Sequence, residues 1–317
     1  MKIIIPGGSG QVGTILARAF EKGDHEVVIL SRSANGSEFM TVQWDAKNLG
    51  DWANEFENAD VVINLAGRIV NCRYNAENRR QIMDSRVDST RIVGEAIMQS
   101  KNPPKVWLQA STATIYAHRY DAPNDEITGI IGGEKEEKAP DTWNFSIDVA
   151  KTWERTANEF DLPNTRLVLM RSAMTMSPDS NGIFDVMLGL VRKGLGGTAG
   201  DGRQYISWIH DQDFINAVYF LINNENLEGA VNISSPNPLP NKEFMKIFRE
   251  AWGTKIGLPA TKLMLKIGAI LMRTETELIL KSRRVVPTRL LESGFKFEFP
   301  SWENAAKDLC KRWRRQN

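Results

Sequence analysis

Four glycines close to the N-terminus constrain the fold of this chain more than any other feature. The first fourteen residues read MKIIIPGGSGQVGT, an apolar run that leads into glycines at positions 7, 8, 10 and 13. Apolar residues then recur at helical spacing from Val12 to Phe20, and residues 25–30 are typical of a second strand. Strand, glycine turn, helix and strand is the setting in which the pattern G-x-G-x-x-G binds a dinucleotide.

Each glycine has a mechanical use in such a turn. A tight turn needs a residue without a Cβ, the pyrophosphate needs close approach of the backbone, and the helix has to pack closely on the strand. The phosphates would bind the free N–H groups at the positive end of the following helix. A purely structural glycine loop is the alternative. The predicted phosphate-binding residues are Gly7, Gly8, Ser9, Gly10, Gln11, Val12 and Gly13.

Length and composition limit the class of protein. A chain of 317 residues with 42% apolar residues can form one large α/β body with a smaller lobe. The net charge of +1, from 40 basic and 39 acidic residues, gives no field that would attract nucleic acid or an anionic membrane. The three histidines lack ligand spacing, and Cys72 and Cys310 form no CxxC pair. We therefore expect no metal site, no nucleic-acid partner and no membrane partner.

The ends and apolar stretches of the chain bear on its compartment. Because the sequence begins directly with the first core strand, we expect no signal peptide. The longest apolar stretch, residues 263–272, is about half of the ~20 residues that a bilayer requires. Two distant cysteines fit a reducing compartment. We expect a cytoplasmic protein, either a monomer or a homodimer.

Strand and helix patterns alternate through the first half of the chain. The further predicted elements are strands at 41–44, 60–65, 105–110 and 165–171 and helices at 76–100 and 143–160. Such a series predicts an α/β fold with a doubly wound parallel sheet, the Rossmann arrangement. From about residue 177 the pieces become shorter and glycine-rich. We predict a dinucleotide-binding domain at 1–176, to which the chain can return within 205–235, and a smaller C-terminal α/β lobe with a C-terminal segment at 177–317.

The end of the second strand bears on the choice of cofactor. An NAD site places a carboxylate there for the ribose hydroxyls, whereas a 2′-phosphate prefers a guanidinium. This chain has Ser31, Arg32 and Ser33, which favours NADP; the alternative is that Arg32 is a solvated loop charge. Asp45 follows the third strand, where such folds contact the adenine edge. Leu65, Ala66 and Gly67 end the next strand in a small, flat loop over the middle of the cofactor.

Several further runs carry a family resemblance. They are VINLAG at 62–67, SRVDSTRIV at 85–93, STATIY at 111–116, WE at 153–154, SWIHDQDF at 207–214 and VVPTRLLESGFKFEFPSWENAAKDL at 285–309. With the glycine turn, they resemble an extended short-chain dehydrogenase/reductase. More narrowly, the chain is similar to the atypical branch labelled "epimerase family protein", which is NAD-dependent epimerase/dehydratase-like and ends in a short C-terminal segment of this kind. The resemblance covers nearly the whole chain.

The resemblance also implies which helix carries the chemistry. Short-chain enzymes that transfer hydride use a Ser or Thr, together with a Tyr and a Lys four residues apart on one helix face, so that the lysine lowers the pKa of the phenol. If Lys151 is the lysine, Ile147 occupies the tyrosine position. If Glu154 is instead the acidic residue that follows the lysine by four, the pair becomes Ser146 and Ala150. Neither register contains a phenol, and members of the atypical branch also tend to lack the pair.

Other residues complete the predicted site. Thr112 fits the Ser/Thr place, and Tyr116, or Tyr120, is a phenol in the right neighbourhood, although Tyr116 is also suited to packing at a strand end. We take Thr112 and Tyr116 as the candidate catalytic residues. The resemblance suggests that Gln81 and Arg86 approach the cofactor, with exposed helix charges as the competing explanation. We also count Met174 among the predicted cofactor-binding residues.

Two classes of function follow. The first is an NADP-binding oxidoreductase or sugar-nucleotide epimerase without the usual Tyr-Lys pair, acting on a small-molecule substrate in the cleft between the sheet and the lobe. The second is a catalytically reduced NADP(H)-binding redox sensor or interaction protein. The missing tyrosine favours the second, whereas Thr112 and the intact glycine turn allow the first.

Overall fold

Seven parallel strands form the main sheet of the molecule. The computed structural model describes residues 1–33, 37–133, 139–271 and 274–316. The strands, β1 to β11 in chain order, are Lys2–Pro6, Glu26–Ser31, Thr41–Gln43, Val61–Asn64, Val106–Thr112, Arg166–Ser172, Met174–Met176, Tyr205–Ile206, Trp208–His210, Gly229–Ile233 and Leu239–Pro240. The order in the main sheet is β10-β6-β5-β4-β1-β2-β3, and every pairing in it is parallel.

Helices cover both faces of this sheet and build most of the lobe. The helices, α1 to α10, are Gln11–Lys22, Ala76–Gln99, Asp141–Asn158, Ile183–Arg192, Asp211–Asn223, Asn241–Trp252, Lys262–Leu271, Glu277–Leu280, Thr288–Glu292 and Trp302–Gln316. Short 3₁₀ helices span Asp51–Phe56 and Ala113–Ile115.

The sheet is buried on both faces, as continuous apolar strands require. Ile3 and Ile5 of β1 point into a core that also contains Phe20 of α1, whereas Ile4 belongs to the core on the opposite face with Trp107 of β5. All five side chains are fully buried. Because successive side chains of a strand point to opposite faces of the sheet, the three consecutive isoleucines of β1 contribute to both cores.

A third core holds the C-terminal lobe together. Most of its side chains come from α4, α6 and α10, and they include the aromatic residues Phe184, Phe244 and Trp302. The rings of Phe244 and Trp302 stack with centroids 4.0 Å apart, and the Trp302 indole N–H donates to the Phe244 carbonyl oxygen at 3.0 Å. Two small sheets, each of two strands, pair β7 with β9 and β8 with β11.

The structure confirms the predicted α/β fold with its parallel sheet and smaller lobe. The predicted strands lie within two residues of the observed ones, and the predicted helix at 143–160 is the helix Asp141–Asn158. β10 pairs with β6 from Gly229↔Val168 to Ile233↔Ser172, so the chain returns to the main sheet after entering the lobe. The domain boundary at 176 stays a prediction.

The last part of the chain, residues 274–316, runs back across the molecule, and we call it the C-terminal segment. Leu290 and Phe295 of this segment lie in the first core of the main sheet, while Trp302 lies in the core of the lobe. The carboxylate of buried Asp213, at the start of α5, accepts hydrogen bonds from the backbone N–H groups of Glu298 and Phe299 at 2.7 and 2.9 Å. The segment therefore joins the sheet to the lobe.

Among the residues that the structure describes, no helix is long and apolar enough to cross a membrane. The same residues contain no group of three or more His, Cys, Asp or Glu side chains that could hold a metal ion.

Close packing of α1 on the glycine turn generates a stability prediction. A Cβ added at Gly13 would lie 2.3 Å from the Gly8 carbonyl oxygen, closer than real Cβ contacts allow. Gly13→Ala should therefore lower the free energy of unfolding by about 1–3 kcal/mol or more. Gly189 is the matched control: a Cβ there meets no atom within 4 Å, and Gly189→Ala in α4 should raise stability by about 0.5–1 kcal/mol. Urea denaturation of both variants measures the difference, and equal midpoints would contradict the packing argument.

Candidate functional site

The glycine turn between β1 and α1 has the close backbone contacts that a phosphate loop requires. Gly7 adopts φ +74°, and a Cβ there would lie 2.5 Å from the Ala66 Cα at the end of β4. Gly10 is the residue before α1 and has φ −79°, and a Cβ on it would meet nothing nearer than the Gly7 carbonyl oxygen at 3.8 Å. Val12 packs on the core beneath. A side chain at Gly7 or Gly13 would thus collide with neighbouring backbone, whereas the space beside Gly10 is free.

Gln11, the first residue of α1, lies where the lobe approaches this turn. Its Nε2 atom is buried and has no hydrogen-bond partner among the described residues. A Cβ on Gly182, the residue before α4, would lie 1.9 Å from that Nε2. Arg18 of α1 and Asp179 of the same loop approach to 3.6 Å. The N-termini of α1 and α4 have no side-chain cap. Both lie near the side-chain amide of Gln11, whose N–H groups lack a hydrogen-bond partner among the described residues.

The end of β2 presents the residues predicted to choose the cofactor. The Ser31 hydroxyl donates to the Ser9 hydroxyl at 3.1 Å, which joins this strand end to the glycine turn. Arg32 and Ser33 are exposed. Asp45 accepts hydrogen bonds from Lys47 and Asn48 within its own turn, and the bonds from Asn48 lower the pKa of its carboxyl. Asp45 thus forms a local turn, and its contact with adenine stays a prediction.

The loop after β4 lies beside α2. Leu65 donates its N–H to the Pro6 carbonyl oxygen at 2.8 Å, and Ala66 is buried. A Cβ on Gly67 would lie 3.2 Å from the Arg86 guanidinium carbon. Arg86 donates to two backbone carbonyl oxygens and lies over the Trp153 ring at 4.9 Å, and burial lowers the pKa of its guanidinium to about 10.

The other predicted residues beside the cofactor site have protein partners. Gln81 is exposed on α2, where it hydrogen-bonds with Arg68 and Glu77. Met174 is half-buried in β7, and its N–H donates to the Ser207 carbonyl oxygen at 3.4 Å. The cofactor roles of Gln81 and Met174, like that of Arg86, stay predictions.

Thr112 and Tyr116 lie at the carboxyl end of β5 in different surroundings. Thr112 is half-buried, and its hydroxyl accepts the Thr114 N–H at 3.1 Å. Tyr116 is 2% exposed; its hydroxyl donates to Asn232 Oδ1 and accepts from Arg171, both at 2.9 Å. Burial raises the pKa of this phenol, although Arg171 opposes the shift. These contacts favour packing for Tyr116, and its role as a proton donor stays a prediction.

Glu154 of α3 and Arg171 of β6 form a buried ion pair that the sequence analysis missed. The guanidinium donates twice to the carboxylate, at 2.8 and 2.7 Å. The hydroxyl of Ser111 in β5 also donates to Glu154, at 2.5 Å. Although burial opposes its charge, the pKa of Arg171 is raised by the hydrogen bonds and charge of Glu154. Such bidentate contacts hold α3 in one orientation against the sheet.

That orientation bears on the two possible registers of the helix: Ile147, of the first register, and Ala150, of the second, are both fully buried. Ser146, Ala150 and Glu154 recur every four residues and so share one face. Ala150 is fully buried against the loop after β5, and Ser146 donates to a carboxylate of the C-terminal segment. Lys151 is exposed, with its Nζ 3.8 Å from a Cβ built at Gly133. The face that meets β5 is therefore the serine–alanine face.

The C-terminal segment brings a cluster of charged side chains to this face. The Ser146 hydroxyl donates to Glu277 Oε2 at 2.7 Å. Arg283 donates to Glu277 Oε1 at 2.9 Å and to the Thr114 hydroxyl at 3.0 Å. Lys281, 1% exposed, donates to the Thr114 carbonyl oxygen at 2.8 Å. Acidic and basic residues within a few positions, in TETELILKSRR, are the one signal in the sequence that could have pointed to them.

A cavity of about 720 Å³ opens between the loop after β5, the start of α3 and the lobe. Its walls are formed by Ala117, His118, Arg119, Tyr120, Asp121, Ile130, Ile131, Ala139, Pro140, Trp143, Asp201, Gln204, Lys262 and Leu280. The rings of His118 and Trp143 lie 4.6 Å apart, and those of His118 and Tyr120 lie 4.9 Å apart. Apolar and aromatic surface with a few polar groups is typical of small-molecule pockets.

The residues of the WIH stretch, 208–210, are buried in the protein. His210 is buried before α5, where its Nδ1 accepts the Gln212 N–H and its ring stacks on Phe299 with centroids 3.8 Å apart. Trp208 is fully buried in the lobe core. Burial lowers the pKa of His210, although Asp211 raises it.

Comparison with known proteins places the chain in a family. Residues 3–234 match the NAD dependent epimerase/dehydratase family, and residues 260–309 match a domain of unknown function, DUF1731. An epimerase family protein of Staphylococcus epidermidis is 32% identical over 313 residues, 98% of this chain and 99% of that protein. An epimerase family protein of Staphylococcus aureus is 32% identical over 319 residues, 97% of this chain and 98% of that protein.

Solved structures agree with the sequence comparisons. The human epimerase family protein SDR39U1, isoform 2, in a crystal structure with NADPH, is similar with a TM-score of 0.85 and 26% identity over 98% of this chain and 99% of that one. A nucleoside-diphosphate sugar epimerase from Corynebacterium glutamicum gives a TM-score of 0.76 and 25% identity over 98% of this chain and 58% of that one. The sequence matches, the Rossmann sheet and the C-terminal segment together show that this chain belongs to the NAD dependent epimerase/dehydratase family, in its epimerase family protein branch.

Proposed function

We propose that this protein binds NADP(H) and is a short-chain dehydrogenase/reductase-like oxidoreductase or epimerase that works without the usual Tyr-Lys pair. The observation that carries the proposal is the open glycine turn with the unsatisfied Gln11 donor beside it. The NADPH-bound human relative supports the choice of cofactor. Other similar structures contain NAD, among them MoeE5 with UDP-glucuronic acid, so the preference between the two cofactors rests on this chain's own residues.

The residues present fit a dinucleotide phosphate. Gly10 leaves room at the N-terminus of α1, and Gln11 Nε2 could donate to a pyrophosphate oxygen that it does not find within the protein. Exposed Arg32 and Ser33 at the end of β2 could hold a 2′-phosphate. When bound, the nicotinamide would supply the acceptor or donor of hydride.

The cavity beside α3 is the proposed place for a small-molecule substrate. Its volume of about 720 Å³ is within the range of ligand pockets. Thr112, half-buried at the end of β5, is the proposed group that steadies the reacting oxygen. Related epimerases with nucleotide-sugar names support a sugar nucleotide as one candidate substrate.

A second candidate is a catalytically reduced NADP(H)-binding sensor or interaction protein. It is favoured by the absence of a tyrosine from α3 and by the hydrogen bonds that engage Tyr116. Both candidates bind NADPH, and a titration with NADPH that is monitored by cofactor fluorescence tests this shared property. Turnover in the presence of the cofactor separates them.

The glycine turn yields the first prediction for binding. Gly10→Val should weaken NADPH binding at least tenfold, because the side chain enters the space that the pyrophosphate needs. The fold should survive, since a Cβ at this position has no close neighbour. NADPH fluorescence titration with a urea midpoint as the control measures both effects. Normal binding by Gly10→Val would show that the phosphates lie elsewhere.

Arg32 yields the second prediction. The unmodified protein should bind NADPH at least several-fold tighter than NADH, and Arg32→Asp should remove most of that difference. A charge-assisted contact of ~1.5–3 kcal/mol corresponds to a change in the dissociation constant by a factor of roughly ten or more. Paired titrations with the two cofactors measure the ratio, and equal affinities in the unmodified protein would refute the assignment of Arg32.

The missing phenol yields the third prediction. General acid–base catalysis is worth about 10² to 10⁴ in rate, so turnover of UDP-glucose should be very low although NADPH binds readily. Thr112→Ala should lower any measured rate further. The paired replacements Ser146→Tyr with Ala150→Lys, compared with Ile147→Tyr, test which register of α3 can accept the pair. Fast turnover that is insensitive to Thr112→Ala would place the reacting centre elsewhere.

A further inference from the structure

The C-terminal segment reaches the helix position at which other short-chain enzymes carry their phenol. Ser146 is half-buried on the face of α3 that meets β5, and its hydroxyl donates to Glu277. The Tyr74 phenol also hydrogen-bonds with this hydroxyl, and a serine oxygen that has donated its proton to a carboxylate still has a second lone pair for another donor. The hydroxyl is therefore set up as an acceptor.

The Glu277 carboxylate is buried between Ser146 and Arg283, which are both its hydrogen-bond partners. Its side chain is 1% exposed and is paired with Arg283, which also binds the Thr114 hydroxyl two residues beyond Thr112. Burying a carboxylate without partners would cost several kcal/mol, and the pairing with Arg283 offsets that cost. The cluster is thereby fixed to the end of β5.

Tyr74, in the loop before α2, closes the cluster from the opposite side. Its ring packs against Phe145, the neighbour of Ser146, with centroids 5.1 Å apart. Its backbone N–H donates to Glu275, a second buried carboxylate of the segment, at 2.9 Å. Burial, and after it the charge of Glu277, raise the pKa of the Tyr74 phenol to about 12. Among the described residues, the charged and titratable groups of this region are Arg283 and Lys281 from the segment of Glu277, and Tyr74 and Cys72 from the body.

The same elements line the cavity. Trp143 belongs to α3, Leu280 to α8 with Glu277, and Ala117 follows the turn that contains Thr114. The cavity wall combines apolar side chains, among them Ile130, Ile131 and Leu280, with polar and charged ones such as Arg119 and Lys262. A secondary alcohol with an apolar or aromatic frame can pack on the apolar part of such a wall.

We propose that the C-terminal segment completes the reacting centre: Ser146 accepts the hydroxyl proton of a secondary alcohol and passes its own proton to Glu277. This inference rests on the proposed oxidoreductase function. In the oxidation, the O–H bond of the alcohol breaks and an O–H bond forms at Ser146, while the Ser146 proton moves to Glu277 Oε2. The alcohol carbon loses a hydride to NADP⁺ and becomes a ketone. Ser146 touches the substrate, and Glu277 acts through it as a positioning residue.

Four variants test the proposal with racemic 1-indanol and NADP⁺, followed by NADPH absorbance. Glu277→Gln and Ser146→Ala should each lower kcat at least tenfold, with KM and the Kd for NADP⁺ changed less than twofold. Groups that act as one unit are not additive, so the double variant should be no slower than the slower single variant. Glu275→Gln removes a buried carboxylate of the same segment that does not contact Ser146 and should stay within twofold of the unmodified protein.

A second readout needs no turnover. In protein labelled with ¹³C at tyrosine Cζ, the Tyr74 resonance, identified with Tyr74→Phe, should ionise at lower pH in Glu277→Gln than in the unmodified protein and should be unmoved in Glu275→Gln. This follows because removal of the negative charge favours the phenolate. An unmoved Tyr74 titration in Glu277→Gln would overturn the proposed cluster.

The outcomes distinguish this inference from the proposed function. Failure of the unmodified protein to bind NADP⁺ would refute the cofactor assignment. Binding of NADP⁺ without oxidation of 1-indanol, or equal losses of kcat in Glu277→Gln and Glu275→Gln, would overturn the role of the C-terminal segment while leaving the cofactor assignment intact. Because Ser146→Ala changes a half-buried hydroxyl only, it keeps the test decisive even if Glu277→Gln does not fold.

Discussion

The buried ion pair between Glu154 and Arg171 sets the geometry on which the candidate site depends. It joins α3 to β6, and the Ser111 hydroxyl ties the same carboxylate to β5. These contacts orient the helix, and Ala150 of the same face packs against the loop after β5 while Ser146 contacts the C-terminal segment. Leaving one member of a buried pair without its partner costs about 3–5 kcal/mol, which makes this contact a strong constraint on the register of the helix.

The same polar network extends well beyond the helix. Arg171 also donates to the Tyr116 hydroxyl, which in turn donates to Asn232 of β10. The Asn232 side-chain amide then donates to the Val286 carbonyl oxygen in the C-terminal segment. Helix, sheet and segment are thus connected through hydrogen bonds that satisfy one another's buried groups. This explains why a tyrosine at the right end of β5 is engaged in structure, and why a contribution from the segment to α3 is geometrically stable.

Much of the fold could be predicted from the sequence, because strand length, helical periodicity and glycine turns are local signals. The short apolar run before Gly7 and the helical spacing after Gly10 specify β1 and α1 without knowledge of the rest of the chain. The polar contacts of the site are different. Ser146 and Glu277 are 131 positions apart, and Tyr116 and Asn232 are 116 apart. The packing of helices on the sheet decides which of these distant polar groups come into contact. Hydrophobic periodicity is a local pattern and does not predict that packing.

The return of the chain to the main sheet at β10 has a consequence for how the protein is made. During synthesis the first six strands are complete long before residues 229–233 leave the ribosome, and until then the outer edge of β6 is an unpaired row of backbone donors and acceptors. Contacts between distant parts of a chain form late because closing a long loop is costly in entropy. The nascent chain therefore passes through a stage with an open sheet edge, a surface on which chaperones act and on which aggregation begins.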